Sequence, residues 1–320
     1  MVKLLKEQGL YPVDLRKTYG DVMMEEASHN DKIISINCDL CSSMGMTDFT
    51  KRFPKQALNV GIMEANGLGV AAGLSATGMI PFFHSFAIFA TRRIYDQIFV
   101  SCSYAGLNVK IVGGDPGVSA TLNGGTHMAF EDVGILRCIP GVTILEATDS
   151  VMMKSLVPQM IHNYGVDYLR IPRKQTIQIY EEGSEFTVGK AVVLRDGMDV
   201  SLIASGIMVS EALKAADLLE AEGISTRVVD MFTIKPIDKN CIIESVEKTG
   251  AIVTAENHNI YNGLGSAVAE VLVENRVCPM ERVGVQDQFG IVGQQDYLME
   301  HFGLNAATIY KKAKIVLSRK

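Results

Sequence analysis

Residues 59–98 read NVGIMEANGLGVAAGLSATGMIPFFHSFAIFATRRIYDQI. Positions 64–76 have helical spacing and are almost all small or apolar, with Glu64 and Asn66 the strongly polar exceptions. Residues 79–90 are the most apolar stretch of the chain, and helical spacing returns over 89–104. Short strand-like runs flank this passage at 33–36 and 108–112 and recur at 143–145 and 168–171. Further helical segments fall at 14–28 and 149–161. Strands alternating with helices imply a parallel sheet covered on both faces by crossover helices. After Arg173 the pattern lapses: KQTIQIYEEGSEFTVGK lacks a helical stripe and holds an EEGSE turn, which puts a domain boundary near 175–188. A second alternation follows, with strands at 200–204, 226–230, 251–254 and 281–285 and helices at 209–222, 238–248 and 265–275. The basic tail KKAKIVLSRK reads as a solvated helix end or strand.

A chain of 320 residues fits two domains and can bury roughly 75% of its unfolded surface, so it needs no disulfide or metal staple. With 48% apolar and 21% charged residues it is neither disordered nor fibrous. Residues 1–180 hold 16 basic and 16 acidic groups, so the net charge of −6 lies wholly in the second half. An acidic chain without a Lys/Arg cluster is a poor partner for nucleic acid or anionic lipid. The six cysteines form neither a disulfide framework nor a zinc ribbon, and Cys38-Asp-Leu-Cys41 is a lone C-x-x-C with no clear redox setting. The first twenty residues hold no apolar core of signal-peptide length. Residues 79–90 are too short to span a bilayer. The expectation is a reduced, cytoplasmic protein away from membranes.

Three features bear on chemistry. Glu64 stands in Gly61-Ile-Met-Glu64-Ala-Asn-Gly67-Leu-Gly69-Val-Ala-Ala-Gly73. A helix so rich in Gly and Ala can pack its backbone close to a neighbour, which would desolvate Glu64 and raise its pKa unless it is paired. A glutamate favoured by the dipole of a first helical turn explains the same residue. The G-x-G-x-x-x-G spacing is one residue longer than a dinucleotide fingerprint, and no βαβ unit supports that reading. Second, the Gly-rich run 113–127 follows the strand at 108–112, and ligands of open α/β sheets bind beyond carboxyl ends of strands. His127 at its end is an acid/base or hydrogen-bonding candidate, or a helix cap. Third, Phe82, Phe83, Phe86 and Phe89 cluster, which spacing alone assigns to the core. Asn262-Gly-Leu-Gly265 starts a helix, with close packing favoured over a phosphate site there.

The run 59–98, continued by LNVKIVGG and NGGTHMAFEDVGILRCIPGVTIL, resembles the pyrimidine-binding domain of transketolases. VVDMFTIKPID and TAENHNIYNGLGSAVAEVL resemble the transketolase C-terminal domain, so the resemblance spans about residues 12–318. It implies two three-layer α/β/α domains, with a mainly parallel sheet in the first (1–180) and a mixed sheet in the second (188–320). The family's diphosphate- and Mg²⁺-binding domain carries G-D-G, which this chain lacks. The chain therefore looks like the C-terminal subunit of a split transketolase, active only with a separate N-terminal subunit in an α2β2 heterotetramer. Thiamine diphosphate is the implied cofactor, with Mg²⁺ held mainly by the partner and no metal ligand on this chain.

The resemblance also implies roles. Glu64 matches the glutamate that hydrogen-bonds the pyrimidine N1′ and promotes the imino tautomer. Phe89 matches the aromatic that stacks on the pyrimidine, with Phe86 beside it, and Asp39 matches an acidic loop position near the cofactor. His127 matches a catalytic, substrate-facing histidine, and Asn123 stands where an Asp meets a sugar hydroxyl. Arg16, Ser43 and Arg173 align with phosphate ligands, with Arg170 near the last. The fourth such ligand is a His in a T-H-A-G context, where this chain has Gly114-Asp115-Pro-Gly117. An acid beside a phosphate is costly, which points to a sugar with a different distal end, for example a sulfonate. The implied reaction is ketol transfer from a ketose to an aldose. The alternatives are a 2-oxoacid dehydrogenase β subunit, a deoxyxylulose-phosphate-synthase-like enzyme, and a non-catalytic paralogue. Retention of Glu64, Phe89 and His127 argues against the last.

Overall fold

The computed structural model describes residues 2–320. The first half runs β1 (Leu4–Leu10), α1 (Leu15–Ala27), β2 (Ile33–Asn37), α2 (Thr47–Arg52), β3 (Ala57–Asn59), α3 (Glu64–Ala76), β4 (Ile80–Phe86), β5 (Val109–Gly114), α4 (Asp132–Arg137), β6 (Thr143–Glu146), α5 (Ser150–His162), β7 (Val166–Ile171) and β8 (Ile177–Tyr180). The second runs β9 (Val192–Arg195), β10 (Val200–Ala204), α6 (Met208–Glu220), β11 (Thr226–Asp230), β12 (Thr233–Lys235), α7 (Lys239–Thr249), β13 (Ile252–Asn259), α8 (Leu264–Glu274), β14 (Met280–Val285), α9 (Gln295–His301) and α10 (Ala306–Leu317).

Several of the expected helices start where a side chain caps them. Asp14 accepts from the Lys17 N–H, Asp149 from Met152, and Asp238 from Cys241. The basic tail is the end of a helix, α10.

The main sheet has the order β12-β6-β7-β5-β4-β2-β3, parallel except for β12. The second has the order β14-β13-β10-β11-β9, parallel except for β9. Both are covered by helices, giving the mainly parallel and mixed α/β layers that the sequence implied. β1 and β8 form a separate antiparallel pair.

Two expectations are corrected. The apolar stretch at 79–90 is not only aromatic core: it contains β4, a central strand between β2 and β5. It reads as a continuous apolar run because both its faces are buried. His84 is fully buried within it, donating from Nδ1 to the Ile36 carbonyl (3.1 Å) and accepting from the Tyr19 hydroxyl (2.7 Å). Burial lowers its pKa to about 4, so it is neutral. The helix expected over 89–104 is a 3-10 turn (Arg92–Ile94) followed by a π-helical segment (Gln97–Tyr104). Such π segments frequently mark functional sites.

α3 lies on β4 because Gly67 lets it. A Cβ there would stand 2.9 Å from the Phe83 ring. Gly69 and Gly73, on the other face, would meet nothing within 4 Å. Only part of the small-residue pattern therefore serves packing within this chain.

Candidate active site

The site forms at the carboxyl ends of β2, β4 and β5 and at the start of α3. Glu64 is the first residue of α3, and its side chain is 2% exposed. Its two carboxylate oxygens have separate partners. Oε1 accepts from the Ser85 hydroxyl at 3.1 Å, and Oε2 accepts from Arg93 Nη1 at 2.8 Å. The Arg93 guanidinium carbon also stands 3.7 Å from the Phe89 ring centroid.

Phe89 is half-buried and Phe86 buried, and their ring centroids are 6.3 Å apart. His127 meets both edge-on, at 5.2 Å from Phe89 and 5.9 Å from Phe86. Arg173 lies 5.7 Å from the Phe86 centroid and holds Asp115 through Nε at 2.8 Å and through Nη2. Burial pushes the Asp115 carboxyl upward, and Arg173, Arg16 and His127 oppose this. The structure thus joins Phe89, Phe86, His127, Arg173 and Asp115 by direct contact, and Arg93 links Glu64 to Phe89.

Arg16 and Arg173 line one cavity of about 610 Å³, which reaches the second half of the chain at Gly206 and Lys214. Arg16 donates to the Ser43 carbonyl at 2.8 Å, with Asp14 at 3.8 Å. Asp39, with φ of 61°, follows β2 and is tied to Asn59, whose Oδ1 accepts from the backbone N–H groups of Asp39 and Gly61. Asn123 ends the 3-10 segment Gly117–Asn123 and is half-buried.

That segment is fixed from the second domain. Asn257 accepts from the Val118 N–H and donates to the Pro116 carbonyl, both at 3.0 Å. A Cβ on Gly117, which has φ of 55°, would overlap the Asn257 side chain at 2.1 Å.

One expected ligand is overturned. Arg170 lies in β7 and is fully buried. It binds Asp132 from Nε (2.9 Å), Glu146 from Nη1 (2.7 Å) and the Asn257 carbonyl from Nη2 (2.9 Å). Every arm of the guanidinium faces protein, so none is free for a substrate anion. Arg170 instead ties the two domains together.

Three residues were missed. Ser85 sits on β4, one residue before Phe86, and aligns Glu64. Arg93 lies in the quoted FATRR run, where the charge doublet was a visible signal. Asn59 carried no signal beyond ending a short strand. The Cys38 thiol is pushed up to about 12, first by burial and then by the Glu64 charge, which suppresses the thiolate. Among the described residues, no group of three or more His, Cys, Asp or Glu is placed to hold a metal ion. No helix among them is long and apolar enough to cross a membrane.

Two α/β domains, with a buried acid, a tilted pair of aromatic rings and a histidine gathered at the strand ends of the first, have the layout of a transketolase-type enzyme. Family models for the transketolase pyrimidine-binding domain and the transketolase C-terminal domain match residues 11–178 and 189–309. The chain belongs to the transketolase family and is a subunit of a transketolase-type transferase.

Among its relatives, the 6-deoxy-6-sulfo-D-fructose transketolase subunit SqwH of Clostridium sp. (strain MSTE9) is 50% identical, over 96% of this chain and 95% of that protein. An apulose-4-phosphate transketolase subunit of Phocaeicola vulgatus is 35% identical, over 93% and 96%. A solved split-gene transketolase, an inactive β4 tetramer, superposes with a TM-score of 0.88 at 39% identity and covers 96% of this chain and 99% of that one. Transketolase from Leishmania mexicana shares the fold, with a TM-score of 0.82 at 20% identity, and this chain spans 47% of it.

Proposed function

We propose that this chain is the pyrimidine-binding half of a thiamine-diphosphate-dependent transketolase, completed by a separate N-terminal subunit. On this reading it moves a two-carbon unit from a ketose with a sulfonated distal end to an aldose. The observation that carries the cofactor reading is Glu64: a buried carboxylate bridged by Arg93 to the ring of Phe89, with His127 edge-on to the same ring. Those residues fit an aminopyrimidine, which needs one acid and one flat apolar face. Thiamine diphosphate would supply the carbon that carries the two-carbon unit. Glu64 would hold a proton at the ring nitrogen, Phe89 would stack on the ring, and Asp39 would stand near it. His127 would hydrogen-bond the sugar and move its proton, and Asn123 would take a hydroxyl. Mg²⁺ and the diphosphate would be held mainly by the partner, within a heterotetramer. The similar split-gene chain, inactive as a β4 tetramer, supports that division.

Charge supports the distal sulfonate. Arg16 and Arg173 face the cavity with Ser43 beside Arg16, but Asp115 already neutralises Arg173, and Asp14 lies near Arg16. Little net positive charge remains. A monoanionic sulfonate suits it better than a phosphate monoester, which carries about −1.5 to −2 at pH 7. The SqwH relative, named for a sulfonated fructose, supports the same choice.

The test is to co-purify the chain with its partner, add thiamine diphosphate and Mg²⁺, and compare sulfonated, phosphorylated and unsubstituted ketoses. The sulfonated donor should give the highest kcat/KM. Asp115→His should shift the ratio toward the phosphorylated donor by about tenfold. A wild type that prefers the phosphorylated donor would overturn the sulfonate reading, and activity of the chain alone would overturn the division between subunits.

A further inference from the structure

Arg93 makes two contacts that the reading above assigns to the cofactor's ring, and this inference rests on that reading. Its guanidinium takes Glu64 Oε2 at 2.8 Å and covers the face of Phe89 at 3.7 Å. An aminopyrimidine needs the same acid and the same face. One planar group can occupy that place at a time.

We propose that Arg93 is a displaceable placeholder for the thiamine ring, holding Glu64 and Phe89 until the ring replaces it. Three observations carry this. The exposure is unequal: the Arg93 side chain is 44% exposed and that of Glu64 2%, so Arg93 has a route to solvent and Glu64 does not. Glu64 has a second anchor, since Ser85 donates to Oε1, the oxygen that Arg93 does not take. Arg93 also sits in a three-residue 3-10 turn, four residues after Phe89, beside the buried Ile94. The side chain can swing while Ile94 keeps the backbone in place.

The chemistry suits a stand-in. A guanidinium is flat, donates hydrogen bonds in its plane and stacks on aromatic rings, as a protonated aminopyrimidine does. A buried carboxylate without a partner is strongly unfavourable, so the fold needs a cation at Glu64 whenever no ring is there. Cofactor binding is then an exchange of partners, and the apparent affinity is lowered by what Arg93 gives up.

The test is calorimetric titration of thiamine diphosphate, with Mg²⁺, into the chain assembled with its partner subunit. Arg93→Met should lower the cofactor Kd by about threefold to tenfold, the worth of a half-exposed ion pair and a cation–π contact. Arg93→Lys, which keeps the charge but loses the planar stack, should fall between Met and wild type. In a Glu64→Gln background the Arg93→Met gain should shrink, as coupled neighbours require. An unchanged or weaker Kd in Arg93→Met would overturn the placeholder and make Arg93 a support of Glu64 in the loaded enzyme. If the wild-type complex takes up no cofactor, the reading of Glu64 and Phe89 fails first, and this inference with it.

Discussion

Glu64 owes its placement to three other residues: Gly67 brings α3 onto Phe83, Ser85 aligns one carboxylate oxygen, and Arg93 neutralises the other. Glu64→Ala should reduce kcat of the assembled enzyme by about a hundredfold or more, as expected for a lost acid/base group. Its unfolding midpoint should move by only about 2–4 °C. Loss of folded protein would instead make Glu64 a structural residue. Glu64 was legible because a single carboxylate on an apolar helix needs a reason. Arg170 and Arg173 were not separable by type, three positions apart in LRIPRK. What separates them is that Arg170 lies within a strand buried on both faces, while Arg173 follows its end. Asp230 is a further residue with a measurable signature. Burial raises its carboxyl to about 7, although the Thr148 and Tyr180 hydroxyls donate to it at 2.6 Å. Because the folded pKa exceeds the unfolded value of about 3.9, its stabilising contribution is full below that value and is lost as pH rises through about 7. The Asp230→Asn variant keeps the shape without the titration. Its unfolding midpoint relative to wild type should therefore climb between pH 4 and 7. A constant difference would mean that Asp230 is ionised throughout.

At the scale of elements, β7 and the start of α4 form a charged core. Tyr168 and Arg170 both reach Asp132, Arg170 reaches Glu146, and Ser205 holds the other Glu146 oxygen. Replacing Arg170 with Met leaves two buried carboxylates without their cation, which should cost about 3–5 kcal/mol in denaturant unfolding. A raised sugar KM with unchanged stability would return Arg170 to the substrate pocket. The Asp-capped helices were legible because the cap, the period and the following strand all agreed. β4 was not, because IPFFHSF combines a proline and a histidine with an apolar run too short to tell strand from helix. The π-helical segment escaped for a related reason: residues 89–104 carry the spacing of an α-helix, and the wider turn has no sequence mark of its own.

Across the whole molecule, α3 turns Gly69 and Gly73 away from the body of the chain. Beside them Ile62 and Met63, and Val100 and Tyr104 on the adjoining π-helical segment, are exposed. An apolar surface at the edge of an active site suits the partner subunit. Met63→Glu should weaken assembly with the partner by more than about tenfold, read by analytical ultracentrifugation, while the far-ultraviolet dichroism stays unchanged. Undiminished assembly would place the partner elsewhere. The second half of the chain also lends a strand to the first sheet: β12, from residues 233–235, pairs beside β6 and belongs to that sheet alone. That ties the chain to an order of manufacture. The 52 residues 181–232 separate the end of β8 at Tyr180 from the start of β12 at Thr233. At about 5–20 residues per second, the growing chain waits roughly 3–11 s on the ribosome with the flank of β6 bare. During that interval an open strand edge is exposed to neighbouring nascent chains, and the last piece of the first sheet arrives only as the second domain is being made.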